Sequence, residues 1–147
     1  MKDQRRPPFD AAAGRSGIRV KSWLSVETEA VITSTIGAAI AVHRALGPGF
    51  MESAYRVAMG LELRALGLSY EAERRIELSY RGVRLPRQHV DLIVEECVIV
   101  ELKSVMRLDD IHRAQLISYL RATRLRAGLL INFRVPALRL GLRRVVL

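Results

Sequence analysis

The sequence HVDLIVEECVIVELK, residues 89–103, contains the pattern that decides the fold. Two runs rich in Val and Ile are typical of buried strands, and the acidic pair Glu95-Glu96 between them predicts a hairpin. Three charged residues interrupt these runs: Asp91, Glu101 and Lys103. Because a charge in a buried strand is costly unless it is paired or binds a metal, something must compensate this set.

The charged set has the chemistry of a divalent-ion site. Asp91 and Glu101 are oxygen ligands of the kind that Mg²⁺ or Mn²⁺ prefers, and Lys103 shares the face of Glu101 because strand residues two apart point the same way. A two-residue turn would pair Asp91 with Val100 and turn it to the opposite face. The metal interpretation therefore requires a three-residue loop or a bulge. A salt bridge within the hairpin is the structural alternative.

Lys103 is itself unusual in this chain. From residue 25 to the end there are seventeen arginines and this one lysine. A compact ammonium differs from a guanidinium because its pKa can be tuned and it can contact a water closely. Its presence at this position favours a chemical role.

Length and composition indicate one domain, residues 25–147, preceded by a flexible basic tail, residues 1–24. Half of the residues are apolar, which is enough for a proper core. A net charge of +9 and a pI near 10.7 predict a polyanionic partner, nucleic acid first. The tail either adds nonspecific attraction to phosphates or has no role.

The single cysteine, Cys97, lies in a predicted buried strand, which excludes a disulfide framework and a cysteine zinc site. We therefore expect a reducing, cytoplasmic compartment. The longest weakly polar stretch, residues 30–42, is too short to span a bilayer, and the N-terminus has no signal-peptide core. We expect no membrane association.

Two helices are predicted before the hairpin, at about residues 26–46 and from residue 50 or 51 to 66. The sequence Gly47-Pro48-Gly49 ends the first, and Gly67 ends the second as its C′ residue. Glu52 projects from the first turn of the second helix. Its structural explanation is a favourable interaction with the helix dipole.

A third helix is predicted after the hairpin, at about residues 111–123, with Asp109 or Asp110 as its cap. One stripe of this helix carries His112, Gln115 and Tyr119. The alternative to a functional role is that these three are solvated or interfacial polar side chains.

Short strand patterns surround the hairpin, at residues 68–72, 75–80, 83–85, 128–133 and 142–147. In residues 75–80, alternation predicts that Ile76, Leu78 and Tyr80 share one side. Arg81-Gly82 is a turn signal between two of these patterns.

Several motifs in a fixed order resemble the GxxExxY protein family, a branch of the PD-(D/E)XK nuclease superfamily. They are HRALGPGFMESAY with Gly49, Glu52 and Tyr55, the turn Tyr80-Arg81-Gly82, VDLIV, VIVELK, the pattern HxxQLxxYL from His112 to Leu120, and GLLINF. The resemblance covers about residues 26–147. A lone ExK triplet is a weak signal, whereas this ordered set is strong.

The resemblance implies an α/β (α+β) fold, a PD-(D/E)XK nuclease-like core with helices packed on a central mixed β-sheet of about four to five strands. Asp91 matches the superfamily's aspartate and Glu101-Leu102-Lys103 its (D/E)xK motif. Glu52 matches a helical glutamate that completes the metal shell in some branches, and Gln115 with Tyr119 resembles the QxxxY element of exonuclease-like branches. One departure is Val90, where the superfamily often has proline.

The activity implied by the resemblance is phosphodiester hydrolysis with Mg²⁺ or Mn²⁺. Asp91, Glu101 and Glu52 would hold the ion, and Lys103, Gln115 and Tyr119 would complete the catalytic set. His43 and His112 match family positions without assigned chemistry, and we expect structural roles for them. Five arginines are candidates for contacts with nucleic-acid phosphates, unless they are merely solvated: Arg74, Arg75, Arg84, Arg87 and Arg113.

Two other interpretations stay open. One is a nucleic-acid- or partner-binding module that keeps the nuclease fold without hydrolysis, and the other is a purely structural protein. We expect a nucleic-acid partner, DNA before RNA, although no residue chooses between them. A homodimer formed through an edge strand is an alternative to a monomer.

Overall fold

The structure is a computed structural model that describes residues 23–147, so the predicted tail lies outside the described residues except for its last two positions. The described elements are, in chain order, α1 (Val26–Leu46), α2 (Glu52–Ala65), β1 (Tyr70–Ile76), β2 (Ser79–Tyr80), β3 (Val83–Arg84), β4 (Gln88–Val94), β5 (Val98–Lys103), α3 (Asp110–Thr123), β6 (Ala127–Asn132), a 3₁₀ turn (Leu138–Leu140) and β7 (Leu142–Val146). The three helices predicted from the sequence are confirmed.

Five of the strands form one mixed sheet in the order β1-β4-β5-β6-β7. Strands β5 and β6 are parallel and α3 connects them, while the other neighbours are antiparallel. Strands β2 and β3 form a separate two-stranded ribbon. The predicted α/β architecture with a mixed sheet of four to five strands is confirmed.

Helices cover both faces of the sheet. On one face, α1 and α2 pack on strand residues such as Leu92, Val100 and Leu129; on the other, α3 packs on residues such as Ile93 and Ile99. Because both faces are covered, the central strands are almost continuously apolar. No helix within residues 23–147 is long and apolar enough to cross a membrane.

The helix ends follow their local sequence. The Ser25 hydroxyl accepts a hydrogen bond from the Thr28 backbone N–H at the start of α1. Gly47, with φ of 70°, ends that helix in a conformation that suits glycine. Asp109 is the N-cap of α3, and the Nδ1 atom of His112 accepts the Asp109 backbone N–H at 3.0 Å.

The hairpin between β4 and β5 has the loop that the metal interpretation requires. Val94 pairs with Val98, which leaves residues 95–97 as a three-residue loop. Glu95 and Glu96 have φ of 49° and 54°, left-handed values that close the turn. Counting back along the ladder from this loop brings Asp91 opposite Glu101.

The strand predictions before the hairpin were wrong in part. One strand, β1, covers most of the two that were expected at residues 68–72 and 75–80, and the end of the second forms the separate strand β2, where Tyr80 is 64% exposed. Ile76 and Leu78 do pack beneath α3, and their spacing produced the alternating signal. Tyr80 instead belongs to the ribbon of β2 and β3, which lies outside the main sheet.

Candidate functional site

The site lies where β4 and β5 separate. The last backbone pair is Leu92 with Val100. Beyond it, side-chain carboxylates accept the hydrogen bonds of the backbone N–H groups. The Asp91 N–H donates to Glu101 Oε1 at 3.2 Å, and the Leu102 N–H donates to Asp91 Oδ2 at 2.9 Å. Each carboxylate therefore satisfies the backbone of the opposite strand, and the predicted juxtaposition of Asp91 and Glu101 is confirmed.

A change of phase in β4 accompanies this separation. Leu92 and Val94 pack on the side of α1 and α2, but Val90 packs with the cluster on the side of α3. Strict alternation would place all three on one side. The change occurs beside Glu73 of β1, whose φ of 52° is left-handed for a residue other than glycine. The ladder of β1 and β4 skips this position, since Ala72 pairs with Leu92 and Arg74 with Val90.

Glu101 is the most perturbed carboxyl of the site. The residue is only 4% exposed, and its pKa is raised to about 8. Burial is the largest cause and the negative charge of Asp91 the second, while the positive charge of Lys103 opposes both. The pair therefore favours a bound proton or cation, as expected for facing carboxylates.

A polar chain connects the carboxylates to α3. The Lys103 ammonium donates to Gln115 Oε1 at 3.1 Å, and Gln115 Nε2 donates to the Tyr119 hydroxyl at 3.0 Å. Burial, and next the charge of Glu101, raise the pKa of Tyr119. Two residues of the predicted helical stripe thus reach the site, but the third, His112, caps the helix instead.

These groups line a cavity of about 340 Å³ between α2, α3 and the two strands. Its wall is formed by Met51, Glu52, Ser53, Arg56, His89, Asp91, Glu101, Leu102, Lys103, Gln115 and Tyr119. Glu52 thus lines the same cavity as Asp91 and Glu101. Within residues 23–147, however, no three His, Cys, Asp or Glu side chains are grouped closely enough to hold an ion.

The residues that do meet fit a hard divalent cation in their chemistry. Asp91 and Glu101 supply carboxylate oxygens from facing strands, and burial makes their mutual repulsion costly without a positive charge. Glu52, on the same wall, is a further oxygen donor.

Arg56 is a site residue that the sequence analysis missed. Its guanidinium contacts Asp91 Oδ1 and Glu73 Oε1, each at 3.2 Å, and its side chain is 22% exposed. A signal existed, because Arg56 follows Glu52 by four residues and therefore shares its face of α2. Its partner Asp91 is 35 residues away in sequence, so no local pattern revealed the contact.

None of the five arginines predicted to contact phosphates lines the cavity of Asp91 and Glu101. Arg75 lines a neighbouring cavity. Arg74 pairs with a glutamate of its own strand, and Arg84 pairs with Glu77. Arg87 and Arg113 are exposed and make no ion pair with another described residue.

Tyr55 and His43 have structural contacts. The buried Tyr55 hydroxyl donates to the Gly47 carbonyl and accepts the Phe50 N–H, while its ring stacks on Phe133 at 4.2 Å. These bonds hold the loop that leads into Glu52. His43 Nε2 is 2.8 Å from the Val135 carbonyl oxygen, in agreement with the expected structural role.

Comparison with known proteins identifies the family. A sequence model of the PD-(D/E)XK nuclease superfamily matches residues 29–145, most of the chain and all of the site described above. Neither the curated proteins nor the solved structures contain a match. Nucleases of this superfamily generally use divalent metal ions, and their substrate is nucleic acid. The chain belongs to the PD-(D/E)XK nuclease superfamily.

Proposed function

We propose that this protein is a divalent-metal-dependent nuclease of the GxxExxY branch, which hydrolyses phosphodiester bonds in nucleic acid. One observation carries the proposal: Asp91 and Glu101 meet from facing strands, with Lys103 in the same cavity. Two carboxylates in a buried position would destabilise a purely structural hairpin, because each adds a desolvation penalty.

Asp91 and Glu101 are the residues that would hold Mg²⁺ or Mn²⁺, and Glu52 would act as a third ligand, directly or through a water. When bound, such an ion polarises the scissile phosphate and lowers the pKa of a coordinated water toward neutrality. The facing carboxylates are already fixed by backbone N–H groups, so their position is set before substrate arrives.

Lys103 would position the attacking water or stabilise the charge that develops on the phosphate. The amide oxygen of Gln115 holds its ammonium in place. Because the Gln115 amide donates to the Tyr119 oxygen, the phenolic hydrogen remains available to a water or a phosphate oxygen. Gln115 and Tyr119 would thereby orient the lysine and its reacting partners.

The proposed partner is nucleic acid, DNA before RNA. The chain carries a formal net charge of +9, and Arg74, Arg75, Arg84, Arg87 and Arg113 are candidates for sequence-independent phosphate contacts. A homodimer is part of the proposal only as an alternative to a monomer. The free thiol of Cys97 is compatible with the reducing cytoplasm that we propose as its compartment.

The test is cleavage of labelled DNA and RNA, single- and double-stranded, by the purified protein with Mn²⁺ or Mg²⁺. We expect cleavage that requires the ion and disappears in Asp91→Ala and Lys103→Ala. Glu95→Gln, at the far end of the same hairpin, is the control and should cleave normally. Absence of cleavage for every substrate and both ions would contradict the proposal.

A second candidate function is a nucleic-acid-binding module without hydrolysis. The observation in its favour is Arg56, which already supplies Asp91 with a positive charge at 3.2 Å. This candidate predicts salt-sensitive binding of nucleic acid that Asp91→Ala and Lys103→Ala leave unchanged, together with no cleavage.

A further inference from the structure

The ribbon of β2 and β3 has an exposed aromatic and apolar surface that the fold does not use. Tyr80 and Val83, which pair across the ribbon, are 64% and 65% exposed. Neither belongs to a core cluster of the described residues. A two-stranded hairpin in water gains little stability from its own pairing, so packing does not explain these side chains.

The ribbon is nevertheless well defined in shape. Arg81 and Gly82 have φ of 50° and 78°, the left-handed pair of a tight hairpin turn. At its base, the Leu85 N–H donates to the Leu78 carbonyl at 2.9 Å, and Leu78 packs against the core beneath α3. The base is thus anchored, whereas the tip projects from the domain.

The Tyr80 ring is presented as a stacking surface. The Arg81 guanidinium lies over the ring, 5.7 Å from its centroid, as in a cation–π contact. Since the ring is still mostly exposed, its other face is open to a planar group. An aromatic ring next to an arginine is the arrangement with which proteins bind unpaired bases and their phosphates.

Two adjoining cavities extend as a route from the site toward the strand ends next to the ribbon. A cavity of about 420 Å³, lined partly by Arg75, shares Arg56, His89 and Asp91 with the catalytic cavity. At the edge of this route Ile76 pairs with Gln88, three residues and therefore about 10 Å along β4 from Asp91. The ribbon begins directly beyond that pair.

One arginine along this route is available for contact with a phosphate. Glu73 and Glu77 are each paired with an arginine, Arg56 and Arg84 respectively. Arg75, between them on β1, makes no ion pair with another described residue. Arg56 also pairs with Asp91, so Arg75 is the arginine of this route that is available to a phosphate where a strand would leave the catalytic cavity.

We propose that the ribbon of β2 and β3 is a base-stacking platform for a single-stranded nucleic-acid segment. The segment leaves the catalytic cavity past Arg75 and His89, and one of its unpaired bases stacks on the open face of Tyr80. The inference rests on the proposed function, because it takes nucleic acid as the substrate of the same site. It adds a preference for single strands over duplex, in which the bases are already stacked on one another.

The test is binding measured without metal, so that cleavage does not interfere. The full chain, in EDTA and at low salt, is titrated against fluorescent oligothymidylate of about 16 nucleotides and against a duplex of equal length. We expect Tyr80→Ala to weaken single-strand binding by about fivefold or more, the loss of one stacked base, and to change duplex binding by less than about twofold. Tyr80→Phe keeps the ring and should bind like the wild type.

Leu61→Ala is the matched control. Leu61 is a similarly exposed apolar residue, 62% exposed on α2 and absent from the cavities of the route, so its removal should leave both affinities unchanged. Three results would overturn the platform: equal single-strand affinity of Tyr80→Ala and wild type, an equal loss of single-strand and duplex binding, or no single-strand binding by the wild type.

Cleavage with Mn²⁺, measured on the same preparations, separates this inference from the proposed function. Metal-dependent cleavage, together with binding that does not depend on Tyr80, would contradict the base-stacking platform and support the nuclease function. Single-strand binding that depends on Tyr80, without cleavage under any condition, would support the base-stacking platform and contradict the nuclease function.

Discussion

Acidic residues lie at both ends of the hairpin of β4 and β5, but the two ends differ in burial and in the charges of their neighbours. At the loop, Glu71, Glu95 and Glu96 line an open cavity of about 260 Å³. At the opposite end, Asp91 and Glu101 face each other in the cavity of about 340 Å³. With Glu52 included, each cavity is lined by three carboxylates, yet only the second has the features of a reactive site.

Burial and neighbours make the difference. The glutamates at the loop are exposed, and water and salt screen their charges. No lysine or arginine lines their cavity. Glu101, in contrast, is buried, with its pKa raised to about 8, and Lys103 and Arg56 stand beside the pair. The number of acids in a stretch of sequence is therefore a poor guide to chemistry, whereas their register across a buried sheet is a good one.

The largest expected effect is on cleavage. Asp91→Asn and Glu101→Gln keep the shape of each side chain but remove a charge that the ion requires, so we expect a loss of at least about 100-fold in kcat/KM. The double variant Glu95→Gln/Glu96→Gln makes the same chemical change at the loop and should retain full activity. Equal losses at both ends, measured with the substrate that the wild type cleaves best, would break the comparison.

The next effect is on the pH dependence of stability without metal. Glu101 keeps its proton in the folded protein up to about pH 8, whereas its ordinary pKa, expected in the unfolded chain, is 4.5. The folded state therefore binds an additional proton between these values, and the free energy of unfolding should fall by about 1 kcal/mol per pH unit as pH rises through this range. Glu101→Gln should remove that slope and be more stable than the wild type at pH 8.

Urea unfolding in EDTA at several pH values from 5 to 8 measures this slope, where the range follows from the two pKa values. Glu95→Gln/Glu96→Gln should keep the slope of the wild type, because exposed carboxyls do not carry it. A Glu101→Gln protein with an unchanged slope would show that the buried pair does not control the pH response.

A smaller effect is expected at Arg56. Arg56→Gln removes the guanidinium from Asp91, and because both side chains are about one-fifth exposed, the metal-free protein should lose about 1 kcal/mol of stability in denaturant unfolding. Its thermal stabilisation by Mn²⁺ should be larger than that of the wild type, since the ion then takes over the neutralisation of Asp91. Arg84→Gln removes the exposed ion pair with Glu77 and should change neither quantity measurably. Arg56→Gln behaving like Arg84→Gln would remove Arg56 from the site.

Much of the fold could be predicted from local patterns in the sequence. The period of α1 and its glycine-proline ending predicted residues 26–46, which are the bounds observed. The apolar runs around Glu95-Glu96 predicted the central hairpin. The metal interpretation required either a three-residue loop or a bulge, and the structure has the loop. These features depend on neighbours in the chain, so the sequence displays them directly.

Contacts between distant segments were beyond such patterns. Arg56 reaches Asp91 from another element, and Glu73 of β1 has a left-handed backbone angle that residues other than glycine seldom adopt. Tyr80 continued the alternation of Ile76 and Leu78 but left the sheet, because the chain turns into the ribbon of β2 and β3. His112 matched the stripe of Gln115 and Tyr119, yet it lies in the first turn of α3 and serves its cap.

The most direct measurement of the central claim is thermal unfolding with and without Mn²⁺. An ion held only by the folded site stabilises it by mass action, about 2.7 kcal/mol at 100 times the dissociation constant, which is a shift of several degrees in Tm for a domain of this size. The wild type and Glu95→Gln/Glu96→Gln should both show that shift, and Asp91→Asn and Glu101→Gln should not. No shift of the wild type at millimolar Mn²⁺, or an equal shift in Asp91→Asn, would contradict the assignment of Asp91 and Glu101 as the metal site.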